Sequence, residues 1–145
     1  KRRFEYQVKS KGMIYIDDYA HHPKELEALI SSAKALYPEK QCVVIFQPHL
    51  FSRTKDFAGA FAASLDLADA VILLPIYPAR ELPMEGISSA TLLDKMNIRE
   101  KRIMEKEAVL DWIRGLQNKD DLLLITAGAG NIDSMVKPIT EIIKG

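Results

Sequence analysis

Only one of the 145 residues is cysteine, Cys42, and it sits in an apolar run. No internal disulfide can form, and a buried, inert thiol in a cytoplasmic protein is the expectation. No apolar run approaches the ~18 residues of a membrane span, and no apolar signal core follows the charged start Lys1-Arg2-Arg3-Phe4-Glu5. Neither sign of charge is in excess. The 20 Lys and Arg match the 20 Asp and Glu, which leaves no basic footprint for a nucleic acid. No Gly-x-x-x-x-Gly-Lys-Ser/Thr run occurs, so the chain has no P-loop of its own for a nucleoside triphosphate. No Gly-x-Gly-x-x-Gly follows the first strand, as a stand-alone dinucleotide-binding Rossmann module needs. A starting methionine is missing too, and a piece of a longer protein is expected.

What is present is a well-patterned single domain, residues 1–145, with 48% hydrophobic residues. Phe4, Tyr6 and Val8 alternate with Glu5, Gln7 and Lys9 as a half-buried strand. Ser10-Lys11-Gly12 turns it back into a more apolar strand over 13–18. Residues 23–37 read as a helix with Leu26, Leu29, Ile30, Ala33 and Tyr37 on one face and Pro23 in its first turn. Nearly all-apolar strands follow at 41–47, 68–76 and 121–126, the mark of a sheet covered on both faces. Between them lie a helix from the loop at 48–52 to about Asp66 with Phe57, Phe61 and Leu65 stacked, a short helix capped by Ser88 or Ser89, a short strand at 102–105 and a helix at 106–117. Pro138 predicts a bend or a displaced start in the terminal helix. The implied architecture is a Rossmann-like three-layer αβα sandwich: a mostly parallel sheet of about six strands with an N-terminal β-hairpin.

Chemistry-bearing groups collect after the strands, at Asp17 to His22, Gln47 to Arg53, Tyr77 to Glu81 and Thr126 to Asn131. In parallel strands these loops share the edge where open α/β sheets bind ligands. Asp17 and Asp18 are adjacent and face opposite sides of a strand, which argues against a paired acid–base dyad. One of them could accept from a ribose diol, or serve as a helix N-terminal acid. His21, His22 and His49 are all the histidines in the chain. They could hold a loop, touch substrate or, less readily, bind a metal, since adjacent histidines rarely ligate one ion. His49 and Arg53 stand one helical turn apart. The Arg53 fork suits a carboxylate or phosphate beside a helix start, against the plainer alternative of a solvated basic turn. Gly128-Ala129-Gly130-Asn131 fits either phosphate binding or close strand–helix packing.

Four stretches together resemble a known family: Asp17-Asp18-Tyr19-Ala20-His21-His22-Pro23, Phe46-Gln47-Pro48-His49-Leu50-Phe51-Ser52-Arg53-Thr54-Lys55, Ile76-Tyr77-Pro78-Ala79-Arg80-Glu81 and Gly128-Ala129-Gly130-Asn131-Ile132. They resemble the C-terminal domain of the Mur ligases of bacterial peptidoglycan synthesis, and within them the enzymes that join L-alanine to UDP-N-acetylmuramate. The resemblance covers essentially the whole chain. It implies a three-domain enzyme whose N-terminal domain binds the UDP-sugar and whose central domain carries the P-loop and most of the Mg2+ chemistry. ATP phosphorylates the lactyl carboxylate to an acyl phosphate, which the amine of L-alanine attacks. Positioning and charge stabilisation then suffice, with no catalytic nucleophile and no metal ligand from this domain. By motif position Asp18 and Arg3 resemble nucleotide-binding residues, at the ribose and a phosphate. Tyr19, His21, His49 and Arg53 resemble residues lining the amino-acid pocket, Arg53 taking the alanine carboxylate. Many relatives carry arginine where this chain has Leu50, which puts more weight on Arg53. The nearest alternative is the murein peptide recycling ligase, which joins a whole peptide to the same sugar.

Overall fold

The strands β1 (Glu5–Lys9), β2 (Met13–Asp18), β3 (Gln41–Phe46), β4 (Ala70–Leu73), β5 (Lys101–Ile103) and β6 (Leu122–Ala127) form one sheet in the order β1-β2-β6-β3-β4-β5. The computed structural model describes residues 2–116 and 121–145. β1 pairs antiparallel with β2, and every other neighbour is parallel. This is the mostly parallel sheet with an N-terminal hairpin that the sequence predicts.

Both faces are covered, which is why the inner strands carry so few polar residues. On one face α1 (Pro23–Leu36), α3 (Ala58–Leu65) and α4 (Ser89–Leu93) bury Leu26, Ile30, Phe61, Leu65 and Leu92 against Ile14, Ile16, Val44 and Phe46. On the other, α5 (Lys106–Arg114) and α6 (Val136–Lys144) set Val109, Ile113 and Ile139 against Tyr15, Val43, Ile45 and Leu124. Odd and even residues of each strand thus feed separate cores. Cys42 is fully buried, and burial pushes its thiol up to about 12. No described helix is long and apolar enough to cross a membrane.

Three elements depart from expectation. The helix predicted from the loop at 48–52 to Asp66 is two: α2 (Phe51–Asp56) and α3, separated at Phe57, whose φ of −120° and ψ of 21° are not helical. Phe57 therefore leaves the buried stripe and is 47% exposed, while Phe61 and Leu65 stay inside. α5 ends at Arg114, and position 117 of its predicted span lies outside the described residues. At the C-terminus a 3-10 turn (Asn131–Met135) precedes α6. The helix start is displaced so that Pro138 falls in the first turn, where a missing N–H costs no intrahelical bond.

Register positions the functional edge. Asp18 stands opposite Ala127, Ala127 opposite Phe46, and Phe46 opposite Leu73. The parallel strands β2, β6, β3 and β4 therefore end level, and the loops that follow them emerge side by side.

Candidate functional site

The adjacent acids of β2 do separate work. Asp17, 1% exposed, accepts a two-pronged ion pair from Arg2 (Nε–Oδ2 2.7 Å, Nη2–Oδ1 3.1 Å). Its Oδ1 also takes the Thr126 hydroxyl at 2.7 Å, and Tyr15 meets that hydroxyl at 3.0 Å. Burial pushes the Tyr15 phenol well above its ordinary range, and the nearby Asp17 charge adds to the rise against the opposite pull of the Thr126 hydroxyl and Arg2. Asp18 instead holds backbone: its Oδ2 accepts from Phe4 N–H at 2.7 Å and its Oδ1 from Ala20 N–H at 2.8 Å. It is not a helix cap. Glu25 fills that role, accepting from the N–H groups of His21 (3.0 Å) and His22 (3.2 Å) at the start of α1. Burial pushes the Glu25 carboxyl up, but these two donors outweigh it and hold it below its ordinary value.

The loops after β2, β3 and β4 meet as a line of rings. Tyr19 lies edge-on to His21 at 4.9 Å, His21 lies 6.1 Å from His49, and His49 stacks on Tyr77 at 5.6 Å and 15°. Arg53 Nη1 reaches His49 Nδ1 at 3.2 Å. A guanidinium only donates, so His49 Nδ1 is the acceptor and its proton is on Nε2. Burial, then Arg53 and then His21, lower the His49 pKa against the weaker opposite pull of Glu81, in keeping with a neutral ring that accepts from Arg53. His21 Nδ1 sits 2.9 Å from the Tyr19 carbonyl, which fixes the ring over the loop. The residues predicted for the amino-acid pocket, Tyr19, His21, His49 and Arg53, are thus in one contiguous cluster. His22 packs against His21 at 4.6 Å. Tyr77 completes the cluster; its stretch counts among the polar strand ends in sequence, but no role there singles it out. The available signal was an aromatic residue directly after a buried strand.

The predicted nucleotide residues share a second feature. Asp18 and Arg3 line one groove of about 400 Å³ together with Phe4, Lys24, Glu25 and Leu29. The Arg3 side chain is 73% exposed and its nearest acid, Glu25, is 3.9 Å away. Its neighbour Arg2 is the structural one. Besides gripping Asp17, it accepts from Tyr19 N–H through its carbonyl (2.6 Å) and lays its guanidinium over the Tyr19 ring at 5.5 Å. Among the described residues no three His, Cys, Asp or Glu side chains gather as a metal donor set.

The glycines of the last loop are set by packing. Gly128 has φ of 147°, and a Cβ there would lie 2.9 Å from the Gln47 carbonyl. A Cβ on Gly130 would lie 2.5 Å from Gln47 Oε1 and 2.6 Å from Tyr77 Cγ. Gln47 cannot yield readily: its amide donates to Asn131 Oδ1 at 2.8 Å and accepts from Ile132 N–H at 2.9 Å. Gly130→Ala is expected to cost about 1–3 kcal/mol through overpacking. Chemical denaturation checks it, and an unchanged midpoint would refute the packing role.

A doubly covered, mostly parallel sheet with four level strand ends, ringed by polar and aromatic side chains, defines an α/β domain with a candidate site at its ligand edge. The family model for the Mur ligase, glutamate ligase domain matches residues 2–130, and the chain belongs to this family. It is 50% identical over 143 residues to the UDP-N-acetylmuramate–L-alanine ligase of Flavobacterium johnsoniae, covering 99% of this chain and 31% of that protein. It is 52% identical over 139 residues to the same-named protein of Cytophaga hutchinsonii, covering 96% of this chain and 29% of that one. Among solved structures, the UDP-N-acetylmuramate-alanine ligase MurC of Thermotoga maritima superposes with a TM-score of 0.76 at 26% identity, over 99% of this chain and 30% of that one. A murein peptide ligase of Psychrobacter arcticus, at 16% identity and a TM-score of 0.77, shares the fold. The chain therefore spans about 30% of the length of the curated relatives it matches.

Proposed function

We propose that this chain is the C-terminal domain of an ATP-dependent ligase that joins L-alanine to UDP-N-acetylmuramate, and that it supplies amino-acid and nucleotide contacts. The observation that carries this is the ring line Tyr19–His21–His49 ending on the Arg53 fork. It sets polar rings and one guanidinium side by side at the ligand edge of the sheet. Arg53 binds the alanine carboxylate, neutral His49 orients the fork, and Tyr19 and His21 wall the amine side.

The Asp18 groove fits a nucleoside. Each Asp18 oxygen accepts one N–H and keeps a lone pair for a ribose hydroxyl. Phe4, Ala28 and Leu29 give an apolar floor, and Arg3 and Lys24 supply positive charge for phosphate. ATP as substrate provides the phosphoryl group that activates the carboxylate, and these residues bind and orient it. Mg2+, the UDP-sugar and their binding domains are assigned to the rest of the full-length protein, in the cytoplasm.

The test is a ligation assay on the full-length protein with UDP-N-acetylmuramate and either L-alanine or a murein tripeptide. Turnover with L-alanine is expected. Preference for the peptide would replace this proposal with the recycling ligase. In the same protein Asp18→Ala should raise the KM for ATP by about one to two decades, the equivalent of a lost charge-assisted hydrogen bond at roughly 1.5–3 kcal/mol. Normal ATP kinetics would confine Asp18 to holding Phe4 and Ala20.

A further inference from the structure

The loop after β4 is bound to the loop after β3 rung by rung, beyond the end of both strands. Tyr77 N–H donates to the Pro48 carbonyl at 2.8 Å, and Leu50 N–H donates to the Tyr77 carbonyl at 2.8 Å. His49 and Tyr77 form an isolated parallel bridge with their rings stacked. The last rung is made by a side chain. Ser52 N–H donates to Glu81 Oε1 at 3.1 Å, and the Ser52 hydroxyl donates to Glu81 Oε2.

Ser52 lies in the first turn of α2, whose N–H groups have no partner within the helix. The residue before that helix, Leu50, has φ of 74° and no side chain able to cap. Glu81 therefore caps α2 from a different segment. The cap itself is placed by a tight turn: Glu81 N–H donates to the Pro78 carbonyl at 2.9 Å, and Ala79 sits in the left-handed region at φ 54°. α2 carries Arg53 one residue past the capped serine. Thr54 ties the same turn through its N–H (3.2 Å) and hydroxyl (2.8 Å) to the Leu50 carbonyl, but in a six-residue helix entered through a left-handed leucine the Glu81 cap is the contact that holds the Ser52 end.

We propose that Glu81 is a positioning residue for the amino-acid pocket: through Ser52 it fixes the start of α2 and so the direction of the Arg53 fork beside His49. This rests on the proposal that Arg53 binds the amino-acid carboxylate. Glu81 touches neither substrate nor nucleotide in this scheme. Its carboxylate also stands near His49 and favours anionic form, since the Ser52 hydroxyl and the backbone donors at the helix start lower its pKa.

Two measurements test it. In the full-length ligase, Glu81→Ala should raise the KM for L-alanine on the order of fivefold, the scale of a lost cap, while the KM for ATP stays within twofold. Glu81→Gln keeps an acceptor for Ser52 N–H and should restore the alanine KM to within twofold of the parent. In the 145-residue chain, amide hydrogen exchange at Ser52 should accelerate in Glu81→Ala and return in Glu81→Gln. The exchange result does not depend on any ligand. Parent-like exchange at Ser52 in Glu81→Ala overturns the proposal, whatever the kinetics. Equal shifts in the alanine and ATP KM values, or an unmoved alanine KM where Arg53→Lys does move it, also overturn it. If Arg53→Lys leaves the alanine KM unmoved, the pocket assignment itself fails, and with it the kinetic role of Glu81.

Discussion

Arg2→Ala is expected to destabilise the chain by about 3 kcal/mol, because it strands a carboxylate in the core. Breaking a buried ion pair by removing one member costs roughly 3–5 kcal/mol, and the lower end applies where one partner reaches water. Arg2 does so: its side chain is 20% exposed, against 2% for Asp17. After the substitution Asp17 keeps, among the described residues, only the Thr126 hydroxyl as a side-chain donor. At about 2–4 °C per kcal/mol for a domain of this size, the melting temperature should fall by roughly 6–12 °C. Asp17→Asn should cost less, since it removes the charge while leaving an acceptor for Thr126 and a free Arg2 that can turn to solvent. Thermal unfolding of the three proteins decides the order. An Arg2→Ala melting point within 2 °C of the parent would show that the pair is merely a surface contact. The same change should free the Tyr19 ring, which lies under the Arg2 guanidinium, while the Tyr19 N–H keeps the backbone carbonyl of residue 2.

That pair shows where the sequence was readable and where it was not. The Asp17 to Pro23 stretch announced a site because so many reactive side chains follow an apolar strand. The partner of Asp17 did not, since an arginine in a charged run reads as solvated. Only the hairpin register, Glu5 opposite Asp17, brings the segment before β1 to that acid. The inner strands were legible because burial on both faces strips them of polar residues. The break at Phe57 was not, because Phe57, Phe61 and Leu65 keep helical spacing straight through it. Its origin is tertiary: α2 is tied at its start to the β4 loop by Glu81, while α3 packs on α1. The stretch Tyr77 to Glu81 reads in sequence as one of the polar strand ends, but the separate roles of Tyr77 and Glu81 appear only when the β3 and β4 loops lie side by side. The glycine motif fits phosphate binding or packing in sequence, and the short distances a Cβ would make to Gln47 and Tyr77 decide for packing.

Arg53 carries the largest effect expected on activity. Its fork is aimed by two independent contacts, the Nδ1 of neutral His49 at 3.2 Å and the helix turn that Glu81 caps. No arginine stands at position 50, where Leu50 occupies the helix entry, so the remaining cation of α2 is Lys55. Lysine offers a point charge and cannot reproduce a planar two-donor grip on a carboxylate. In the proposed full-length ligase Arg53→Ala should therefore raise the KM for L-alanine by roughly one and a half to three and a half decades, the scale of a truncated charge pair at about 2–5 kcal/mol. Arg53→Lys should recover part of that loss, and the KM for ATP should move by less than threefold in both. If Arg53 contributes only uniform binding, kcat holds; if it also aligns the amine for attack, kcat falls with the alanine affinity. Initial rates with alanine and ATP varied separately distinguish the two. Alanine and ATP kinetics within twofold of the parent in Arg53→Ala would place Arg53 on a solvated helix face and remove the carboxylate from this pocket.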